Sequence, residues 1–279
     1  MTLFDAQLHA VALREGDLSD LRFFGVAGAL APSSSVTPAT REAVRRAWDA
    51  LAPGATGRLG RAGLAGFAAV GIHPRSIPAR GLEALLAELP EWLGRRGVVA
   101  VGAIGLDEGG PREEPVFARQ LELARELRLP VVVHTPWRDK ARVTRRVLAL
   151  LREHEVEPAR VLVSRADART LKMIRACGYA AGVSLSSSLG PGEPIDAAVA
   201  LVRSLGPEGL VLSSDAGDGA GDLLALPRAA ARLAKAGLSP AVIRRVCGSN
   251  ALAVLGIPSE ALAGRTGAAT SPSGRRASR

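Results

Sequence analysis

The sequence predicts an α/β protein folded as one closed parallel (β/α)8 barrel, the TIM barrel. Two observations lead to that class. Eight short runs rich in β-branched and apolar residues recur along the chain, and nearly every one is followed by a stretch with helical spacing of its apolar residues. The length of 279 residues suits it, since barrels of this kind run to about 250 residues as a single domain.

The elements follow in order. Strand one is predicted over Leu3–His9, with the connection "VALREGDLSDLRFF" after it read as short and as the weakest element of the pattern. Strand two, Gly25–Ala31, leads to the helix "TREAVRRAWDALA"; strand three, Gly66–His73, leads to "LEALLAELPEWLGRR". Strand four, Val98–Leu106, is followed by "EPVFARQLELARELR", and strand five, Pro130–Thr135, by "DKARVTRRVLALLREHE". Strands six and seven, Arg160–Arg165 and Tyr179–Ser186, precede "ARTLKMIRACG" and "PIDAAVALVRSLG". Strand eight, Gly209–Ala216, is followed by "LLALPRAAARLAKAG" and "SPAVIRRVCGSNALAVLG". An open doubly wound sheet is the alternative. It would call for a glycine-rich phosphate loop after strand one, and "HAVALREG" is not one.

Composition narrows the class further. No apolar run reaches the roughly 20 residues that span a bilayer. The N-terminus has no basic flank before an apolar run, so neither a signal peptide nor a membrane partner is expected and the expected location is cytoplasmic. Cys177 and Cys247 have no metal-site spacing and read as reduced structural thiols. The net charge of +9 raises the question of a nucleic-acid partner. Four of the arginines behind it stand in "GRTGAATSPSGRRASR", and aromatics are 3% of the chain. Such spread basicity favours weak contact with anions over sequence reading. The expected organisation is a barrel domain over residues 1–258 and a disordered basic tail over 259–279.

In a barrel of this kind the chemistry sits at the C-terminal strand ends. The polar residues there are Gln7 and His9, His73, Asp107 near Ala103, His134, Ser164 and Arg165, Ser184 and Ser186, and Asp215. Three of the four histidines end a predicted strand; His154 lies in a helix. In "FDAQLHA", Asp5, Gln7 and His9 alternate and are expected to share one strand face. Ser184, Ser186, Ser213 and Ser214 have no histidine-plus-acid partnership that the sequence assigns, so a serine hydrolase is not indicated.

The stretches "GIHPRSIP", "VVAVGAIGLDEG", "FARQLELARELRLPVVVHTPWRDK", "LVLSSDAGDGAGDLLALPR" and "SNALAVLGI" together resemble the TatD-related metal-dependent hydrolases of the amidohydrolase superfamily. They occur in the family's order over most of residues 1–258. The resemblance implies a TIM barrel, a site for one or two divalent metals (zinc, manganese or magnesium) and hydrolysis of phosphoesters, including DNA ends. Carried over position by position, the ligand pattern is broken. The opening pair of histidines falls on Gln7 and His9. The bridging glutamate of strand four falls on Ala103. The strand-five histidine is His134, the strand-six histidine falls on or beside Arg165, and the strand-eight aspartate is Asp215.

Alanine has no donor atom, and a guanidinium aimed into the site would repel a cation. Glutamine is a neutral, weak ligand. The expectation is therefore a hydrolase scaffold whose metal site has degenerated, binding a small anionic or phosphoester ligand and holding less than one tightly bound divalent metal per chain. The alternative is an active mononuclear enzyme with His9, His134 and Asp215 as ligands, Gln7 as a further one, and Asp215 and His73 as catalytic groups. Asp107 could stand in for Ala103, since alternate strand residues face the same way. His73, Asp107 and Arg165 are the expected substrate contacts. A third reading, nucleic-acid association through the basic tail, is the weakest. One geometric expectation is sharp: Arg165 should reach across the mouth and pair with Asp215, with Gln7 bonded nearby.

Overall fold

The computed structural model describes residues 2–186, 194–217 and 221–263. Eight parallel strands stand in sequence order: β1 Leu3–Asp5, β2 Val26–Pro32, β3 Ala65–Val70, β4 Val98–Gly105, β5 Val131–His134, β6 Val161–Val163, β7 Ala180–Ser184 and β8 Leu210–Ser213. Each pairs with the next, from Leu3 opposite Val26 to Ser184 opposite Ser213. The ring closes at its mouth. Just beyond β1 and β8, Asp215 N–H donates to the Gln7 carbonyl at 3.0 Å and His9 N–H to the Ala216 carbonyl at 2.9 Å.

Helices cover the outside: α1 Glu15–Phe23, α2 Arg41–Asp49, α3 Thr56–Arg61, α4 Leu82–Leu93, α5 Glu113–Glu126, α6 Lys140–Glu153, α7 Ala168–Ala176, α8 Pro194–Leu205, α9 Ala225–Lys235, α10 Pro240–Arg244, α11 Asn250–Leu255 and α12 Glu260–Ala263. Their apolar faces and the outward residues of the strands form the larger core, in which Trp48, Phe117, Leu59 and Leu85 are fully buried. No helix among the described residues is long and apolar enough to cross a membrane.

A second, smaller cluster fills the barrel. Phe4, Leu30, Ala69, Ala100, Val132, Leu162, Ala180 and Val211 contribute one side chain from each strand. Ala251, Leu252 and Leu255 of α11 join them from below. Asn250 fixes that helix by donating to the Pro207 and Leu210 carbonyls, each at 2.7 Å, at the start of β8. The N-terminal end of the barrel is thus plugged with apolar side chains, and the polar groups gather at the other end. Sheet closeness leaves little room there. Gly105 has φ +143°, and a Cβ on it would lie 2.4 Å from the His134 carbonyl oxygen.

Four expectations are corrected. Every predicted strand but the second runs past the observed C-terminal end, because the residues beyond the ladder leave the sheet to present side chains to the mouth: the chain bends at Ala6, and Arg165 and Asp215 take left-handed backbones. In β1 this overturns the shared face of Asp5, Gln7 and His9. The chain bends at Ala6, Phe4 and Ala6 both point into the barrel cluster, and Asp5 turns its carboxylate to backbone N–H groups. The connection after β1 contains α1, whose first turn is fixed by Asp17 accepting from the Arg14 N–H at 2.8 Å. The predicted tail is helical over Glu260–Ala263; its remainder, 264–279, lies outside the described residues.

Candidate active site

The mouth is built from two hydrogen-bonded clusters. The first is centred on Asp215, which follows β8 with a left-handed φ of +59° and is almost fully buried. Its carboxylate takes four side chains. Gln7 Nε2 donates to Oδ1 at 2.6 Å, and His9 Nε2 stands 3.0 Å from the same oxygen. Ser184 Oγ donates to Oδ2 at 2.9 Å, and Arg165 Nη2 lies 3.2 Å from Oδ2. Burial alone would raise the Asp215 pKa. The His9 hydrogen bond and the Arg165 charge outweigh it and hold the group below the ordinary carboxylate range.

Arg165 is placed from both sides in sequence. It follows β6 with φ +61°, and its carbonyl accepts from Lys140 Nζ. Two residues later Asp167 caps α7, accepting from Thr170 N–H at 2.8 Å, an arrangement typically worth about 1 kcal/mol. Trp137 lies beneath both cations, with Lys140 Nζ 4.6 Å and the Arg165 guanidinium carbon 5.2 Å from its ring centre. The expected pair of Arg165 with Asp215 is present, with Gln7 bonded to the same carboxylate.

The second cluster is centred on Asp107. His134 Nε2 stands 2.9 Å from Oδ1, and Arg75 Nε donates to Oδ2 at 2.7 Å. Glu113, at the start of α5, holds this loop by accepting from the N–H groups of Asp107 and Gly109 at 2.9 and 2.8 Å. Burial works against the Asp107 charge, but the hydrogen bonds from His134 and Arg75 pull its pKa well below the ordinary range. His73 packs edge-on to His134, ring centres 4.6 Å apart, and its Nδ1 accepts from Arg75 N–H at 3.2 Å. Gln120 of α5 positions this stretch, accepting from Ile72 N–H at 2.6 Å. Burial favours the neutral form of both imidazoles: it lowers the His134 pKa against the pull of Asp107, and lowers that of His73 well below the ordinary value, helped by His134 and the nearby arginines.

Of the residues singled out from the sequence, Gln7, His9, Arg165 and Asp215 meet in one cluster, and His73, Asp107 and His134 meet in the other. His134 is bonded to Asp107 and makes no bond to Asp215. Ala103 lines the small cavity between the clusters, with a volume of about 30 Å³, and brings no donor. Among the described residues, no three His, Cys, Asp or Glu side chains gather closely enough to hold a metal ion. As a cradle for a divalent cation the donors fit poorly, because a guanidinium already lies against the carboxylate that would bind it. A larger, open cleft of about 530 Å³ adjoins the mouth, walled by Arg75, Asp107, Trp137, Arg138 and Arg142.

Sequence reasoning missed Ser34, whose Oγ lies 2.8 Å from His9 Nδ1. It stands in "PSSSVTP" directly after β2, and its place at a strand end was the available signal. It also missed Ser184 as a partner of Asp215, as well as Trp137 and Lys140.

Comparison with known proteins extends this picture. The family model described as TatD related DNase matches residues 55–249. An uncharacterized metal-dependent hydrolase of Methanocaldococcus jannaschii is 30% identical over 160 residues, covering 57% of this chain and 62% of that protein. The chain thus spans less than two thirds of the length of that curated relative. The crystal structure of a TatD-like protein from Archaeoglobus fulgidus superposes with a TM-score of 0.77 at 26% identity, covering 90% of this chain and 99% of the other. The phosphotriesterase homology protein of Escherichia coli, complexed with phosphate, gives a TM-score of 0.66 at 19% identity over 89% of this chain and 96% of its own, a likeness of fold alone.

Proposed function

This chain belongs to the TatD-related DNase family, and from that premise we propose that it is a hydrolase scaffold whose metal centre has been replaced by internal ion pairs. The family of metal-dependent hydrolases implies a divalent cation. Here the donors for one are spent on one another. The observation that carries the proposal is the pair of Arg165 with Asp215 at 3.2 Å, at a strand-eight aspartate that in the family faces metal. Ala103 supports it, because two cations side by side need a bridging anion to screen their repulsion. In this reading the mouth holds a small anionic ligand, with Arg75, Arg138 and Arg142 on the walls of the open cleft. His73, Asp107 and Arg165 are its nearest contacts from the barrel.

A second reading keeps one metal on His9 and Asp215, with His134 as third ligand and His73 beside the substrate. The 3.0 Å approach of His9 to Asp215 favours it; the His134–Asp107 pair stands against it. Elemental analysis after mild dialysis separates the two. The expected result is well under one zinc, manganese or magnesium per chain, and no gain in phosphodiesterase activity when these ions are added. One tightly held metal per chain would overturn the proposal and favour the mononuclear enzyme.

A further inference from the structure

Across the first cluster runs an unbroken chain of hydroxyl, imidazole and carboxylate. Ser34 Oγ lies 2.8 Å from His9 Nδ1, and His9 Nε2 lies 3.0 Å from Asp215 Oδ1. The partners decide the proton positions. Asp215 receives the Gln7 amide, the Ser184 hydroxyl and the Arg165 guanidinium, so it acts as an acceptor with no hydrogen to give. The His9 nitrogen facing it must then carry the hydrogen. In its neutral form the imidazole so fixed has its lone pair on Nδ1, and the Ser34 hydroxyl is then the donor. That is the arrangement that activates a serine, with the two ring nitrogens exchanged relative to the usual triad.

We propose that Ser34, His9 and Asp215 form a metal-independent nucleophilic relay that hydrolyses small carboxylic esters. The proposal rests on the metal-free reading of the mouth, because a cation on His9 and Asp215 would take the groups the relay uses. Ser34 attacks the ester carbonyl carbon while its proton passes to His9 Nδ1. The carbon–oxygen bond to the alcohol then breaks, and the alcohol leaves with that proton. A water next gives its proton to Nδ1 and adds to the acyl carbon. Ser34 departs with the proton back on its oxygen, releasing the acid. The balance is ester plus water to acid plus alcohol.

The surroundings suit this chemistry. Ser34 is exposed, so a substrate reaches it from the mouth. Its neighbours are anchored. Ser33 N–H donates to the Ala69 carbonyl at 2.9 Å, Ser33 Oγ accepts from Gly71 N–H at 3.1 Å, and Val36 N–H donates to Ser76 Oγ at 2.9 Å. Arg75 and Arg165, ion-paired with Asp107 and Asp215, line the same cavity as Ser34 and His9. The cavity of about 30 Å³ beside them has room for a water.

The test uses full-length protein dialysed against EDTA, a fluorophosphonate probe and p-nitrophenyl acetate, with metal content measured on the same sample. The expected result is one phosphonyl group per chain, mapped to Ser34, and ester hydrolysis that needs no added metal. Ser34→Ala, an exposed change checked for folding by circular dichroism, should lose the label and lower kcat/KM at least ~100-fold. His9→Gln should slow labelling of an intact Ser34. Metal-free protein with no label, a label on another residue, or a fully active Ser34→Ala would each overturn the relay while leaving the metal-free reading in place. One retained metal per chain with no label would overturn both.

Discussion

Arg165 and Asp215 have left-handed backbones, φ +61° and +59°, which cost a non-glycine residue about 1–2 kcal/mol each. Two such residues in one ion pair place the strain at the site, where it tends to be retained for function. Their side chains are 9% and 3% exposed, so solvent does little to screen them. Breaking a buried pair by removing one partner strands the other charge, at a typical cost of 3–5 kcal/mol. We therefore expect Arg165→Met to destabilise the fold by about 3 kcal/mol, read as a shift in the urea midpoint. In an Asp215→Asn background the same change should cost about 1 kcal/mol or less, because no charge is left stranded. Equal costs in both backgrounds would show that Arg165 acts by packing over Trp137 and not through its pair. At this scale the sequence was legible where chemistry is rare. Three histidines and one aspartate at strand ends stand out, whereas Ser34, one of three serines in a row, does not. Only the side-by-side placement of β1 and β2 gives it a role.

At the scale of elements, all eight strands and the longer helices were legible because their periodicities differ. The boundaries were not, since hydropathy cannot tell a paired strand from the unpaired residues after it that feed a site. Helix α3, "TGRLGR", was invisible because two glycines and the nearby Pro53 erase the helical signal. The junction of β1 with β8 shows how much such ends carry. Asp5, fully buried, accepts from Ser214 N–H at 3.1 Å and Gln7 N–H at 3.2 Å, and so joins the first strand to the last. Burial, aided by the nearby Asp215 charge, pushes its pKa up to about 6 from 3.8, against the pull of those hydrogen bonds. A carboxyl raised in the folded state binds more protons folded than unfolded between those values. Its contribution to stability is thus full below pH 3.8 and lost as pH rises through about 6. The loss amounts to about 3 kcal/mol. Asp5→Asn lacks this term, so the stability difference, wild type minus variant, should fall by that order between pH 4 and 7. His73 and His134, whose pKa values burial lowers, act in the opposite sense but equally in both proteins. Parallel urea midpoints across the range would refute the assignment.

For the molecule as a whole, the barrel separates what holds the fold from what does chemistry. The apolar plug and the helix layer lie below and around the strands, and almost all buried charge lies at the mouth. Mouth residues can therefore change without unmaking the scaffold, and that permits a repair. Gln7→His and Ala103→Glu restore two donors, one of them an anion that can lie between cations. Arg165→His removes the competing guanidinium and adds a third donor. Each alone should do little: a histidine at 7 still meets the guanidinium on Asp215, and a glutamate at 103 with Arg165 present would pair with the arginine. The three changes act as a unit because an incomplete shell holds a cation weakly. The triple variant, dialysed against zinc or manganese and then against buffer, should retain at least one metal per chain and melt at a higher temperature with metal than without, since a ligand that binds only the folded state stabilises it. Phosphodiesterase activity is not required, because the pairing of His134 with Asp107 also reshapes the opposite wall of the mouth. A triple variant that folds, as judged by a single cooperative urea transition, and still holds no metal would mean that the strand ends themselves have moved away from the arrangement a cation needs.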